Sequence, residues 1–399
     1  MAFPFLLFAA IYDAATNRQG PHVPRTRRLA KEPFFIILAT WSLLKLLSTL
    51  INKESLFHAI DSALFTAGAL FVAYHVITPR SFGQVVNTLL AATAITAIVA
   101  AIELNIGKPL HHSIANPVLY AQDLLVSRER GGQHRVQAIF DGVHMLAEFL
   151  LYMIPLILFK YTTSRTTGKF FALTIFIATI ATIIATANRN TLILAPTITL
   201  TYLLAYYWPI IDKNLRQLLL ITIAASICSA AIAVLGFFDE ILDEAQRTAI
   251  YSHDAETRSL HSRALEYIEA YDAVTARPLF GYGVVGHVAA ELDEIRRNDN
   301  YYLRTAIEAG VPGLILFVSF IIALLLRVLR SSPKKANSPD RALKALLLSL
   351  TLSFALVKLF LSQPTNNVIF FLLLGATVKL MHMYLTSPPS GMNRPHLNP

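Results

Sequence analysis

The chain has 399 residues, 55% hydrophobic and 15% charged, with a mean hydropathy of +0.53 and a net charge of +9. A soluble domain carries about 25% charged residues, and here the charges cluster between long apolar runs, so a large water-solvated core is excluded. The basic excess lies in short inter-run segments, where it orients a chain in a bilayer and argues against nucleic acid as a partner, while the single cysteine, Cys228, excludes an intrachain disulfide and reads as a packing residue.

Residues 2–14 are apolar without a basic stretch before them, which reads as a short membrane-embedded segment rather than a cleavable signal. Crossing about 30 Å of hydrocarbon takes roughly 20 apolar residues. That rule predicts spans near 33–51, 57–78, 84–106, 138–159, 169–187, 190–209, 216–237, 303–328, 342–361 and 366–385, with 2–14 as a candidate eleventh. Within lipid these must be helices, because unpaired backbone amides are too costly there. The fold class is therefore all-α, a polytopic transmembrane bundle over residues 1–399 as a single membrane domain. Residues 386–399 read as a disordered tail.

When the spans alternate, the basic segments Arg18–Lys31, Lys160–Lys169, Lys213–Arg216 and Arg327–Lys344 fall on one side, which the positive-inside rule makes cytoplasmic. The loops 107–137 and 238–302 fall opposite. In the larger loop, Leu265, Ile268, Tyr271 and Ala273 are spaced as one face of a helix over Ser262–Thr275. Pro278 ends it, and Gly281, Gly283 and Gly286 make a tight turn. A second amphipathic helix is predicted over 287–297, so that the loop caps a cavity between the spans.

Several charged residues invite two readings. Arg189 sits between two apolar runs at the outer boundary, where it either snorkels to water or grips an anion with its bidentate guanidinium. Arg135 precedes a span, where the ordinary role is to anchor lipid headgroups. Arg258 and Arg263 read as a solvated helix face, with Arg263 and Glu266 at pairing distance, or as further anion ligands. Asp299, Asn300, Tyr301 and Tyr302 lie just before a span; the tyrosines suit an interfacial belt, and a carboxylate at a cavity mouth suits a general base toward a hydroxyl. Glu308 lies deeper in that span and requires an interior partner, an arginine being one candidate; Glu148 and Lys358 raise the same requirement elsewhere. His144 and Asp141 open the span after the first long outer loop, and His144 reads as a hydrogen-bonded structural residue or a cavity residue. His111 and His112 have no partner at metal-ligand spacing, and neither HExxH nor a phosphate-binding glycine loop occurs, so no metal and no cofactor is expected.

Three stretches resemble the O-antigen ligase and polymerase superfamily of bacterial membrane glycosyltransferases. The first is Arg135-Val-Gln-Ala-Ile-Phe, and the second is Ala-Asn-Arg189-Asn-Thr-Leu. The third runs from Arg263-Ala-Leu-Glu-Tyr through Pro278-Leu-Phe-Gly-Tyr-Gly283 to Asp299-Asn300, and on to Gly310 and Gly313 at the ligase spacing. Asp299 stands where the ligase branch carries histidine, which favours the polymerase branch. The resemblance implies a GT-C-like bundle in the bacterial cytoplasmic membrane, with its active loop extracytoplasmic. It implies a donor and an acceptor that are glycans on undecaprenyl diphosphate, with a chain-length regulator or other glycan-assembly proteins as partners beside the bilayer. Arg189, Arg263 and Asp299 would then be catalytic, and Arg135, Arg258, Asn300, Tyr301, Glu308 and His144 would bind substrate. The implied product is exopolysaccharide or O-antigen. The alternatives are a ligase that transfers glycan to lipid A core and, in another class, a transporter or flippase, against which the absence of a detectable internal repeat argues.

Overall fold

The computed structural model describes residues 29, 31–108, 110, 129–130, 133–140, 142–207, 267, 269–284, 300–330, 338–361 and 366–386. The expected segment 2–14, the span 216–237, the helix 287–297 and the tail lie outside these residues. The described helices are α1 (Pro33–Ile51), α2 (Leu56–Val76), α3 (Pro79–Ile106), α4 (Val143–Thr163), α5 (Thr166–Ala185), α6 (Arg189–Tyr207), α7 (Tyr301–Arg330), α8 (Ser338–Phe360) and α9 (Asn367–Thr386). A two-residue antiparallel pair, β1 (Glu129–Arg130) and β2 (Gln133–His134), precedes α4.

The apolar runs become helices for local reasons as well. Proline at the first turn of α1 and α3 costs no hydrogen bond there, and a Thr78–Ser81 capping box starts α3. Among the described helices, α1, α2, α3, α4, α5, α7 and α8 are long and apolar enough to cross a membrane, making this a multi-pass helical membrane protein. The stretches predicted as spans at 190–209 and 366–385 are also helical, but α6 falls below that apolar level. Thr191, Thr197, Thr199 and Thr201, with Arg189 and Asn190, lower its hydropathy.

At the centre is α4, with 83% of its most apolar window buried against 28% for α3 and α5. It packs against α3, α5, α6 and α8, while α1 packs on α7 and α2 on α9. Phe354 of α8 stacks on Phe370 of α9 at 4.0 Å, and Phe317 of α7 joins them edge-on to Phe354. The lipid-facing side carries exposed Leu43, Ile95, Phe170 and Ile193.

Helix ends gather on two faces, as strict alternation requires. On one face Glu32 accepts from Arg327 Nε (2.9 Å) and lies 2.6 Å from His382 Nε2, whose other ring nitrogen meets the Tyr74 hydroxyl at 2.8 Å. On the opposite face Asn52 reaches Gly281, Glu103 reaches residues 134–138, and Asn367 reaches Tyr301. This second face is the one expected to be extracytoplasmic.

Candidate functional site

A break in α7 builds the floor of the second face. Gly310 has φ +70°, and Pro312 has no amide to donate, so the carbonyls of Ile307 and Glu308 lose their normal helical donors. The loop segment 278–284 supplies replacements. The amides of Tyr282 and Gly283 donate to the Ile307 and Glu308 carbonyls at 2.8 and 2.9 Å, and the Val311 amide returns a bond to the Pro278 carbonyl at 2.8 Å. The Ser48 hydroxyl of α1 donates to the Glu308 carbonyl (2.8 Å) and also to that of Phe280, and Asn52 Nδ2 donates to that of Gly281 (3.1 Å). The loop is thus an integral piece of the bundle, as lipid-depth irregular backbone must be. The predicted stop at Pro278 is found after helix over 269–276, and Gly281 and Gly283, both with positive φ, make the turn, while Gly286 and residues 262–266 of the predicted helix lie outside the described residues. The helix's buried face is Ala270 and Ala273 against Ile307, and Tyr271, expected on that face, is exposed, since one residue on from Ala270 the helix has turned it about 100° away.

Beside this floor lie two buried ion clusters. The Glu308 carboxylate takes Lys45 Nζ of α1 at 2.6 Å and Arg304 Nε, one turn back on its own helix, at 2.9 Å. Lys358 of α8 meets Glu148 of α4 at 2.6 Å with both side chains wholly buried, and the Tyr152 hydroxyl donates to the same Glu148 oxygen at 2.8 Å. The Tyr301 ring lies 5.0 Å from Lys358 Nζ, and its hydroxyl accepts from Asn367 Nδ2 at 3.2 Å. Counting at about 1.5 Å per residue, Glu308 is about 10 Å below the start of α7. Both carboxylates are therefore paired inside the protein, as intramembrane ionisable groups must be. Asn300 caps α7, its Oδ1 accepting from the Tyr302 amide at 2.9 Å, and its Nδ2 donates to the Tyr267 hydroxyl of the loop helix at 3.2 Å.

The third component is an arginine corner. Ala187 turns the chain with φ +47°, and Asn188 then caps α6 by accepting from the Asn190 amide at 3.2 Å. Asn188 Nδ2 also donates to His144 Nδ1 at 3.1 Å, fixing the turn to the start of α4. Arg189 consequently occupies the first position of α6 and is exposed. A cation there is opposed by the positive end of the helix dipole, so the corner attracts an anion. Arg135 arrives at the same turn, its Nε donating to the Thr186 carbonyl at 3.1 Å, and the Val136 amide bonds the Ala185 carbonyl at 3.3 Å. Just below, an apolar cavity of about 420 Å³ opens between α5 and α6, lined by Phe176, Ile180, Ile184, Leu192, Pro196 and Leu203.

The structure brings Arg135, Arg189 and His144 to one corner, and Asn300, Tyr301 and Glu308 to the α7 floor on the same face. Arg258, Arg263, Asp299 and Asp141 lie outside the described residues. Reading the sequence passed over Lys45, Glu103 and Arg304. The spacing of Arg304 four residues before Glu308 was a usable signal; Lys45, a cation inside the run 33–51, signalled a buried partner but not which one, since that partner is on a distant helix.

Residues 174–318 match the family described as O-antigen ligase, a stretch that takes in most of α5, all of α6 and α7 through its break. No curated protein matches the chain.

Proposed function

We infer the function from one premise: residues 174–318 are of the O-antigen ligase family, within the O-antigen ligase and polymerase superfamily of membrane glycosyltransferases. On that premise the chain is a polymerase that joins oligosaccharide repeat units carried on undecaprenyl diphosphate at the outer face of the cytoplasmic membrane. The observation carrying this reading is the arginine corner. Arg135 bonds the Thr186 carbonyl and Arg189 opens α6 three residues later, above an apolar cavity, an arrangement suited to a diphosphate joined to a long hydrocarbon.

The reaction proposed is a single displacement. A sugar hydroxyl of the acceptor attacks the anomeric carbon of the donor, and its proton passes to the Asp299 carboxylate. The bond from that carbon to the diphosphate oxygen breaks with inversion, and the electron pair leaves with the diphosphate. Arg189 and Arg135, joined by Arg263, stabilise the departing charge, the work a divalent cation does in other transferases. The two prenyl-linked substrates would lie with their chains in lipid and their glycans over the α7 floor. Asp299 in place of the ligase histidine favours a glycan hydroxyl acceptor on a second lipid-linked chain over lipid A core.

The test is chain elongation by purified protein in liposomes supplied with lipid-linked repeat units. Arg189→Ala and Asp299→Ala should each slow elongation by about 10²–10³-fold, the usual loss when one electrostatic or acid–base group is removed. Normal elongation by both variants would overturn the assignment of these residues. Transfer to lipid A core without elongation would make the protein a ligase, and movement of a solute without glycosyl transfer would make it a transporter.

A further inference from the structure

Glu103 is a carboxylate on the last turn of α3, a helix end whose neighbours Ile102, Leu104 and Ile106 face outward. Its own side chain is wholly buried. One oxygen accepts from the Gln137 amide at 3.0 Å and lies 3.0 Å from His134 Nε2; the other accepts from the Ala138 amide at 2.6 Å. Gly107, in the left-handed conformation, ends α3 four residues later, so the carboxylate stands at a fixed height beside the outer loop.

The bonds converge on one short segment. Ala138 has φ +53°, a conformation that an alanine holds only under constraint. Val136, Gln137 and Ala138 are buried, and Arg135, half-buried, directly precedes them. From the other side the Ala185 and Thr186 carbonyls hold Val136 and Arg135. Arg135 therefore sits in a backbone clamped by Glu103 on one flank and by the turn that carries Arg189 on the other. A carboxylate on backbone amides is a strong, charge-assisted anchor, and this one fixes the two amides that follow directly on Arg135 and Val136.

We propose that Glu103 is a positioning residue that sets the Arg135 guanidinium against the Arg189 turn, so that both arginines engage one diphosphate. The proposal rests on the reading of the protein as a user of lipid diphosphates. Glu103 touches no substrate; it acts through Arg135, and its loss would let that guanidinium wander while α3 and α6 keep their places.

A double-mutant cycle decides it, with full-length protein in nanodiscs and farnesyl diphosphate as the probe, read by calorimetry, alongside KM and kcat for elongation in liposomes. E103Q keeps the shape but turns one acceptor into a donor facing an amide. It should weaken farnesyl diphosphate binding about tenfold and lower kcat/KM for elongation at least as much, with kcat falling too because the departing charge is less well held, and it should add less than about twofold once Arg135→Ala is already present. An equal loss from E103Q in both backgrounds, which a general packing defect would produce, overturns the proposal, as does wild-type affinity in E103Q. Binding that is coupled as expected, with no elongation by wild type, leaves the clamp standing and removes the polymerase reading. Wild-type protein that binds no farnesyl diphosphate removes both.

Discussion

Lys358 and Glu148 are the residues whose chemistry is most constrained by place. Each side chain is wholly buried, on α8 and α4, and the two meet at 2.6 Å. Deleting one member of such a pair leaves a bare charge and costs about 3–5 kcal/mol, whereas replacing both can be nearly neutral. Lys358→Met should therefore lower the thermal unfolding midpoint in detergent steeply, and Lys358→Met with Glu148→Gln should recover most of the loss. Equal midpoints for the single and double variants would mean that the pair contributes nothing as a pair. Part of this was legible from residue type alone. Glu148, Glu308 and Lys358 each sit within an apolar run, so each demanded a partner. The identity of the partner was legible only when it lay one helical turn away, as Arg304 does. Glu103, near the end of the run 84–106, demanded a partner in the same way, but its partners, two backbone amides and His134, lie on a loop whose fold no periodicity encodes.

At the scale of elements, the loop and the broken helix are one device. Adding a Cβ at Gly310 would bring it to 2.6 Å from the Leu279 carbonyl carbon and the Pro278 oxygen, and one at Gly281 would lie 2.2 Å from the Ile307 oxygen. Both glycines also have positive φ, so strain and collision add. Gly310→Ala should cost at least about 2 kcal/mol and reduce the monodisperse peak in detergent size exclusion, while Gly142→Ala, with open space around its Cβ and an extended backbone, should leave that peak unchanged. Matching behaviour of the two variants would refute the interlock. The sequence announced both halves: Pro278 with Gly281 and Gly283 reads as a turn, and Gly310 with Pro312 reads as a helix break. What it lacks is any statement that one half fills the other, because the bonds between them are backbone amides and carbonyls, which every residue pair offers alike.

For the whole molecule, the described spans were legible because lipid leaves a helix no polar alternative, so length and hydropathy suffice; α6 is less apolar through its threonines, three of which satisfy their hydroxyls on their own helix's carbonyls and so remain tolerable there. Alternation then carries a prediction about sides. With Cys228 first replaced by Ala, Lys53→Cys should react with an impermeant maleimide on intact cells, and Thr167→Cys should react only after the membrane is opened; the reverse pattern would invert the bundle. The face carrying Thr167 also holds a pH-sensitive tie. Burial raises the Glu32 carboxyl, but hydrogen bonds from His382 and Arg327 together with their charges outweigh it and hold the group below its ordinary value. A carboxyl depressed in the folded state contributes stability that is fully present above its unfolded value, about 4.3, and is lost as pH falls through the folded one. Glu32 joins α1 to the ends of α7 and α9, so its protonation loosens three helices at once. The thermal midpoint of wild type should therefore exceed that of Glu32→Gln at pH 7, and the gap should hold down to about pH 5 and shrink toward zero as pH falls below 4. A gap that stays constant across this range would mean that Glu32 acts through shape rather than charge.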